Sequence, residues 1–236
     1  MKNVLITGAS RGIGKNIAQT LSQNYNIFGT ARCEKSLKEL NLADYCVCDL
    51  EKNSDLTKLS EFIKQNDIDI LVNNAGIYTY NPIENMDYAH IAEIFKINSI
   101  APAYLISAVA PYMKSKKWGR IINIGSISGV MGEAYASMYS ATKASLIGMT
   151  KALALELAQD NITINTINPG WVDTKLGETS IEASEFEKEE ILECIPQKRF
   201  VEPVEIANLI KYLISEEAKG ITGQSINLCA GLSVGF

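Results

Sequence analysis

Short β-branched or apolar runs alternate with helix-period segments along the whole of this 236-residue chain, and that alternation leaves few folds open. The runs cover residues 3–7, 26–31, 45–49, 68–73, 120–125, 162–167 and 225–228. Helical periodicity covers residues 13–23, 54–65, 86–114 with a break near Pro102, 138–158 and 203–215. Runs that are apolar throughout, rather than on alternate residues, belong to parallel strands buried on both faces. Right-handed crossovers then wind the chain into an α/β fold, a doubly wound parallel sheet of seven strands flanked by helices on both faces. No linker, repeat or low-complexity tract divides it, so residues 1–236 are expected to form a single domain.

Hydrophobic residues make up 47% of the chain and charged residues 21%, which supports a globular core and excludes a disordered or fibrous one. Lys and Arg number 22 against 27 Asp and Glu, a net charge of −5 that argues against nucleic acid or an anionic membrane as the main partner. The first strand begins at residue 3, leaving no room for a signal peptide. The apolar stretch 101–113 is short for a bilayer span and carries Pro102 and Pro111. Five scattered cysteines and a lone histidine, His90, favour neither disulfides nor zinc, and the expected setting is cytoplasmic. Residues 174–196, rich in glutamate, read either as a solvated surface helix or as a lid inserted after a strand end.

The first strand ends in Thr7-Gly8-Ala9-Ser10-Arg11-Gly12-Ile13-Gly14 and a helix follows at once. Glycines at this place let the backbone turn sharply and approach a pyrophosphate, which the helix N-terminus attracts through free N–H groups and its dipole. That is the dinucleotide-binding turn of a Rossmann-type sheet. A cofactor with a free ribose 2′-hydroxyl calls for an acid at the end of the second strand. Here that position reads Ala31-Arg32, with no acid before Glu34, and Arg11 lies inside the glycine turn. Two guanidiniums without the acid point to a 2′-phosphate, hence to NADP(H).

Taken together, Thr7-Gly8-x-x-x-Gly12-x-Gly14, Asn73-Asn74-Ala75-Gly76, Ser126, Tyr139-x-x-x-Lys143 and Pro169-Gly170 resemble, in order and spacing, the short-chain dehydrogenases/reductases over essentially the whole chain. Tyr112 and Lys116 share the Tyr-x-x-x-Lys spacing but precede a strand, and read as helix surface. Carbonyl reduction needs a proton donor on the carbonyl oxygen, and a tyrosine with a pKa near 10 is a poor one unless a nearby ammonium favours its phenolate. Lys143, one turn after Tyr139, shares its helix face and is expected to lower that pKa. The resemblance implies Tyr139 as general acid in reduction and base in oxidation, with Lys143 tuning it and binding the nicotinamide ribose. It implies Ser126 as the hydrogen-bond partner of the substrate oxygen. Asn98 would hold a water against Lys143, although it also reads as a helix cap. Asp49 and Leu50 would contact the adenine, Asn74, Ala75 and Gly76 would let the cofactor lie close, and Pro169, Gly170, Val172 and Thr174 would meet its nicotinamide half.

Within the family the closest look is to 3-oxoacyl-acyl-carrier-protein reductases, which implies an acyl-thioester carbonyl substrate. The same chemistry on a sugar, polyol or other small secondary alcohol is the alternative, and a non-catalytic dinucleotide sensor is a third reading. Lys117 keeps a positive charge at one position where such reductases dock their acidic carrier. Asp160 departs from the pattern, standing near a place where a basic residue is common, and a reversed charge weakens steering. Small residues at Ala141, Ala144, Ser145, Gly148 and Ala152 permit close helix approach. By resemblance, segments 138–158 and 101–114 build a homodimer or homotetramer, and the apolar tail 231–236 packs on a second subunit.

Overall fold

A computed structural model describes residues 1–184 and 186–234. In chain order the elements are β1 (Asn3–Thr7), α1 (Gly12–Leu21), β2 (Asn26–Ala31), α2 (Glu34–Lys38), β3 (Asp44–Val47), α3 (Asn53–Gln65), β4 (Ile70–Asn73), α4 (Tyr88–Phe95) and α5 (Ala101–Lys116). They continue with β5 (Gly119–Ile124), α6 (Ser128–Met131), α7 (Ser137–Leu157), β6 (Ile162–Pro169), α8 (Lys175–Ala183), α9 (Lys188–Cys194), α10 (Pro203–Leu213) and β7 (Ser225–Leu228). All seven strands form one sheet in the order β3-β2-β1-β4-β5-β6-β7, and every neighbouring pair is parallel. The order reverses between β1 and β4, and a crevice opens there beyond the carboxyl ends of the strands.

Alternate strand residues feed two apolar layers. Val4, Ile6, Val72 and Ile122 pack on Ile17 and Leu21 of α1 and on Ile206, Ile210 and Leu213 of α10. Leu5, Leu71, Ile121 and Ile164 pack on the other face, against Leu59 and Ile63 of α3, Leu105, Val109 and Met113 of α5, and Leu157 of α7. The residues named are nearly or wholly buried, which is why the strands read as continuous apolar runs.

The expected break near Pro102 is not a break. Tyr88–Lys116 is one helical run of 29 residues that passes through a π turn at Lys96–Ile100, and Pro102 follows directly after that turn, at the start of α5. The run is thereby long and apolar enough to cross a membrane, contrary to the expectation from residues 101–113, yet half of its most apolar window is buried within the fold. The expected strand 45–49 is observed at Asp44–Val47, and α2 had no signal in the periodicity. The tail 231–236 ends in Gly235 and Phe236, which lie outside the described residues.

A buried polar ladder fastens α7 to the sheet. Asn73 Nδ2 donates to Asn123 Oδ1 (2.9 Å), Asn123 Nδ2 donates to Thr150 Oγ1 (3.0 Å), and Thr150 and Thr166 share a hydroxyl contact of 2.7 Å. Asn73 is 3% exposed and the other three residues are 0% exposed, so none of these groups has water as a substitute. Asn123→Ala would strand the Asn73 amide and lose the bond to Thr150, costing about 2–4 kcal/mol. A urea melt monitored by circular dichroism should show the midpoint fall with the slope unchanged.

Candidate active site

The cavity at the switch point has a volume of about 760 Å³. The strand order runs its lining from Arg32 and Asp49, past the glycine turn and Asn74–Gly76, to Ser126, Tyr139, Lys143 and Pro169–Thr174. Gly8, Ser10, Arg11, Gly12, Ile13 and Leu50 line it as well.

The turn after β1 is shaped for close backbone approach. Gly8 and Gly12 have φ of +66° and +52°, the left-handed region that side chains disfavour. Gly14 faces inward: a Cβ there would lie 2.2 Å from the Gly8 carbonyl oxygen, so only glycine lets α1 begin beneath the turn. No side chain caps α1 and no acid stands in its first turn, so its N-terminal N–H groups and dipole face the cavity without a competing carboxylate. Thr7 Oγ1 accepts from the backbone N–H of both Asn74 and Ala75 (3.0 Å each), and Asn74 Nδ2 donates to the Thr7 carbonyl (2.8 Å). Asn74 thus lines the cavity while its amide stitches the ends of β1 and β4 together. Arg11 and Arg32 are both exposed at the cavity, and among the described residues neither has a carboxylate within ion-pair distance. Glu34, the first acid after β2, accepts from Lys38 (2.9 Å) and the Tyr45 hydroxyl (3.0 Å) and is committed to them.

At the other end, α7 presents Tyr139 and Lys143 one turn apart, and Ser126 follows directly on β5. Lys143 Nζ donates to the Ile124 carbonyl (2.8 Å) and lies 5.6 Å from the Tyr139 ring centre. A Cβ on Gly129 would sit 2.7 Å from the Ala144 nitrogen, so the missing side chain lets α6 press onto α7 and set Ser126 and Ser128 beside it. Asn98 occupies the π turn, where its side chain accepts from the Ile77 N–H (2.9 Å) and donates to the Ile77 carbonyl (2.8 Å). It is buried behind Gly76 and reaches toward Lys143 instead of lining the cavity.

Electrostatics correct one expectation. Burial pushes the Tyr139 phenol up to about 12, with a contribution from the Glu133 carboxylate, and the Ser126 hydroxyl pulls it only part of the way back. Burial also pulls the Lys143 ammonium down to about 8, so this lysine does not bring the phenol near neutrality with the protein groups alone. The desolvation that surrounds both groups outweighs their mutual influence. The sign for activity follows: between pH 6 and 10 Tyr139 keeps its proton, while Lys143 is charged below about 8 and neutral above it. The rate of carbonyl reduction should stay level to about pH 8 and fall above it, and Lys143→Met should abolish that limb along with most of the rate. Initial rates of reduced-cofactor oxidation between pH 6 and 10 measure both.

All the expected site residues except Gly14 and Asn98 line the cavity. Sequence reasoning missed Tyr78, Tyr80, Ser128, Glu133, Tyr135 and Trp171, which lie in loops or short turns without a periodic signal. Glu133 Oε1 accepts from the Tyr78 hydroxyl (2.7 Å) and Oε2 from Ser128 Oγ (2.6 Å), and the Tyr78 ring stands edge-on to that of Tyr139 at 5.0 Å. Residues 174–196 form two helices, α8 and α9, in place of one surface helix. Thr174 caps α8 through the Gly177 N–H (3.2 Å), and Leu176, Ser180 and Phe186 wall the cavity.

Comparison with known proteins agrees with this geometry. The family model described as Enoyl-(Acyl carrier protein) reductase matches residues 8–233. The 3-oxoacyl-acyl-carrier-protein reductase FabG of Buchnera aphidicola (subspecies Schizaphis graminum) is 38% identical, with 98% of this chain and 97% of that protein covered. The enzyme of the same name from Escherichia coli K12 is 35% identical over the same shares. Among solved structures, a variant of actinorhodin polyketide ketoreductase with NADPH superposes with a TM-score of 0.91 at 31% identity, covering 99% of this chain and 97% of that one. YwfH, an NADPH-dependent reductase involved in bacilysin biosynthesis, gives 0.91 at 27% identity, with 98% of each chain covered. With the glycine turn, the serine after β5 and the Tyr-Lys pair of α7 meeting in one cavity, the chain belongs to the short-chain dehydrogenase/reductase family.

Proposed function

We propose that this protein is an NADP(H)-dependent oxidoreductase that reduces a ketone, or oxidises the corresponding secondary alcohol. The observation that carries the reading is the convergence of Ser126, Tyr139 and Lys143 in one cavity with an uncapped helix N-terminus and two guanidiniums that have no carboxylate partner among the described residues. Arg32 and Arg11 would fork onto the 2′-phosphate, the turn from Gly8 to Gly14 would take the pyrophosphate, and Asp49 with Leu50 would flank the adenine. When bound, the nicotinamide supplies the hydride. Tyr139 gives the proton to the carbonyl oxygen, Ser126 orients that oxygen, and Lys143 holds the ribose and keeps a positive charge beside the phenol. Asn98 would support Lys143 from the π turn. A positioned acid is worth about 10²–10⁴ in rate, so Tyr139 is the residue whose loss is most diagnostic.

The relatives named for 3-oxoacyl-carrier substrates make an acyl thioester the first substrate to test. One observation favours the smaller-substrate reading. Lys117, the positive charge available for docking an acidic carrier, is ion-paired with Asp160. A paired ammonium steers an acidic partner weakly. The five cysteines are all free, which suits a reducing compartment such as the cytoplasm. The groove between α5 and α7, lined by Ala103, Ala110, Met149, Ala152 and Leu153, together with Leu155 at 84% exposure, fits assembly into a homodimer or homotetramer.

Tyr139→Phe should bind NADPH within a few-fold of the unaltered protein while its turnover drops by about 10²–10⁴. Fluorescence titration and NADPH-oxidation rates measure the two effects separately, and retained turnover would remove Tyr139 from the mechanism. Arg32→Asp should raise the Michaelis constant for NADPH by about 10-fold or more and leave that for NADH nearly unchanged, because a charge-assisted fork onto the 2′-phosphate is replaced by repulsion. An unaltered ratio of the two constants would overturn the choice of NADP(H).

A further inference from the structure

We propose that Glu133 selects, at the substrate end of the cavity, a ketone whose substituent beside the carbonyl donates hydrogen bonds, a hydroxyl or an ammonium, in preference to an acyl thioester. The inference rests on the carbonyl-reductase reading of the site and narrows its substrate. It follows from counting protons. An ionised carboxylate only accepts, so at 2.7 and 2.6 Å the Tyr78 hydroxyl and Ser128 Oγ must both donate to Glu133. Each hydroxyl has a single proton, now committed. Ser128 Oγ therefore accepts from Ser126 Oγ (3.1 Å), a longer bond whose proton Ser126 has to turn away from Ser128 when it donates to the Tyr139 phenol or to a substrate oxygen. Burial, and next the Glu133 carboxylate itself, push the Tyr78 phenol far above the ordinary tyrosine range, so its proton stays in place. Toward a substrate, Tyr78 and Glu133 then offer lone pairs and no donor.

The place of these acceptors matters as much as their number. The Tyr78 ring packs edge-on against that of Tyr139, and Tyr78, Glu133 and Tyr139 line one cavity, so a ligand whose carbonyl meets Tyr139 has Tyr78 and Glu133 as neighbours. Among the described residues no lysine, arginine or histidine is within ion-pair distance of Glu133, which leaves its charge for a ligand to satisfy. The paired rings of Tyr80 and Tyr135 (5.4 Å between centres) add an aromatic wall to the same cavity, suited to an ammonium or to the C–H face of a polyol. The backbone holds Tyr135 there at φ +62°, an unfavourable conformation for a tyrosine, while its carbonyl accepts from the Asn81 N–H (2.6 Å). A thioester or a carboxylate beside the ketone brings further acceptors against acceptors. A hydroxyl or an ammonium completes the set.

The test follows NADPH oxidation with four ketones of matched size, bearing a methyl, a hydroxyl, an ammonium or a carboxylate beside the carbonyl, and with a 3-oxoacyl thioester of N-acetylcysteamine. In the unaltered enzyme kcat/KM should be at least about tenfold higher for the hydroxyl or the ammonium compound than for the methyl ketone and the thioester. The carboxylate compound should be at least about tenfold poorer than the methyl ketone. Glu133→Gln, which turns one acceptor into a donor of the same size, should bring the ratio of donor-bearing to methyl ketone to within about threefold. Donor-bearing, methyl and thioester substrates turned over equally, or a ratio unmoved by Glu133→Gln, would overturn the assignment of Glu133 while leaving the reductase reading intact. The carboxylate arm needs no variant, so the proposal stays exposed to failure even if Glu133→Gln does not fold. Silence of every ketone despite NADPH binding would instead overturn the reductase reading itself.

Discussion

The site is organised around a cation kept out of water. Lys143 is 5% exposed and donates to one backbone carbonyl, and among the described residues no carboxylate is within ion-pair distance of it. Its pKa falls from 10.5 to about 8 because the fold disfavours the charged form. At neutral pH that is a cost of about 3 kcal/mol, present below pH 8 and vanishing as the pH rises toward the unfolded value. A chain that keeps such a residue in its core stores free energy beside the Tyr139 phenol. The rest of the fold makes the placement possible. The polar ladder from Asn73 to Thr166 fixes α7, Gly129 admits α6 against it, and the π turn brings Asn98 up behind Gly76.

The two Tyr-x-x-x-Lys pairs show what a motif states and what it leaves unsaid. Lys116 Nζ lies 5.3 Å from the Tyr112 ring, nearly the 5.6 Å of Lys143 from Tyr139, because both separations follow from helix geometry. The difference lies in the surroundings. Lys116 is solvated on α5, while Lys143 is buried under α6 beside Ser126. Position after β5, a consequence of strand order, separated the pair that lines the cavity from its surface counterpart in the sequence. Its pKa could not be foreseen in the same way, since spacing says that a lysine is near and says nothing of how much water both groups lose.

The strands were legible because their residues are buried on both faces, so β1 and β4 to β6 could be read off apolarity alone. The glycine turn was legible for a backbone reason: φ values and close approaches at Gly8, Gly12 and Gly14 admit few alternatives. What escaped was written in side-chain pairing. The π turn at Lys96–Ile100 leaves an apolar helix pattern almost unchanged, and proline at the start of α5 imitates a break. Ser128 and Glu133 are five residues apart, but Tyr78 is 55 residues from Glu133, and the three become a unit only when the loop after β4 meets the turn after β5.

Charge is unevenly distributed along the cavity. Arg11 and Arg32 stand at the end expected to hold phosphates, where Asp49 also lines the wall, and Glu133 and Lys143 stand at the end where the carbonyl is expected. An anionic substrate entering such a cleft is drawn toward the guanidiniums and repelled from the position beside Tyr139, so it competes with the cofactor instead of lying next to it. A neutral ketone feels no such net pull, and a cationic one is drawn toward Glu133. Glu133, the acid that adds to the rise of the Tyr139 phenol, also disfavours an anionic group beside that phenol. A phenol held at about 12 is a weaker acid than one near neutrality, so in the proposed reduction it releases its proton only to an oxygen that is itself becoming strongly basic.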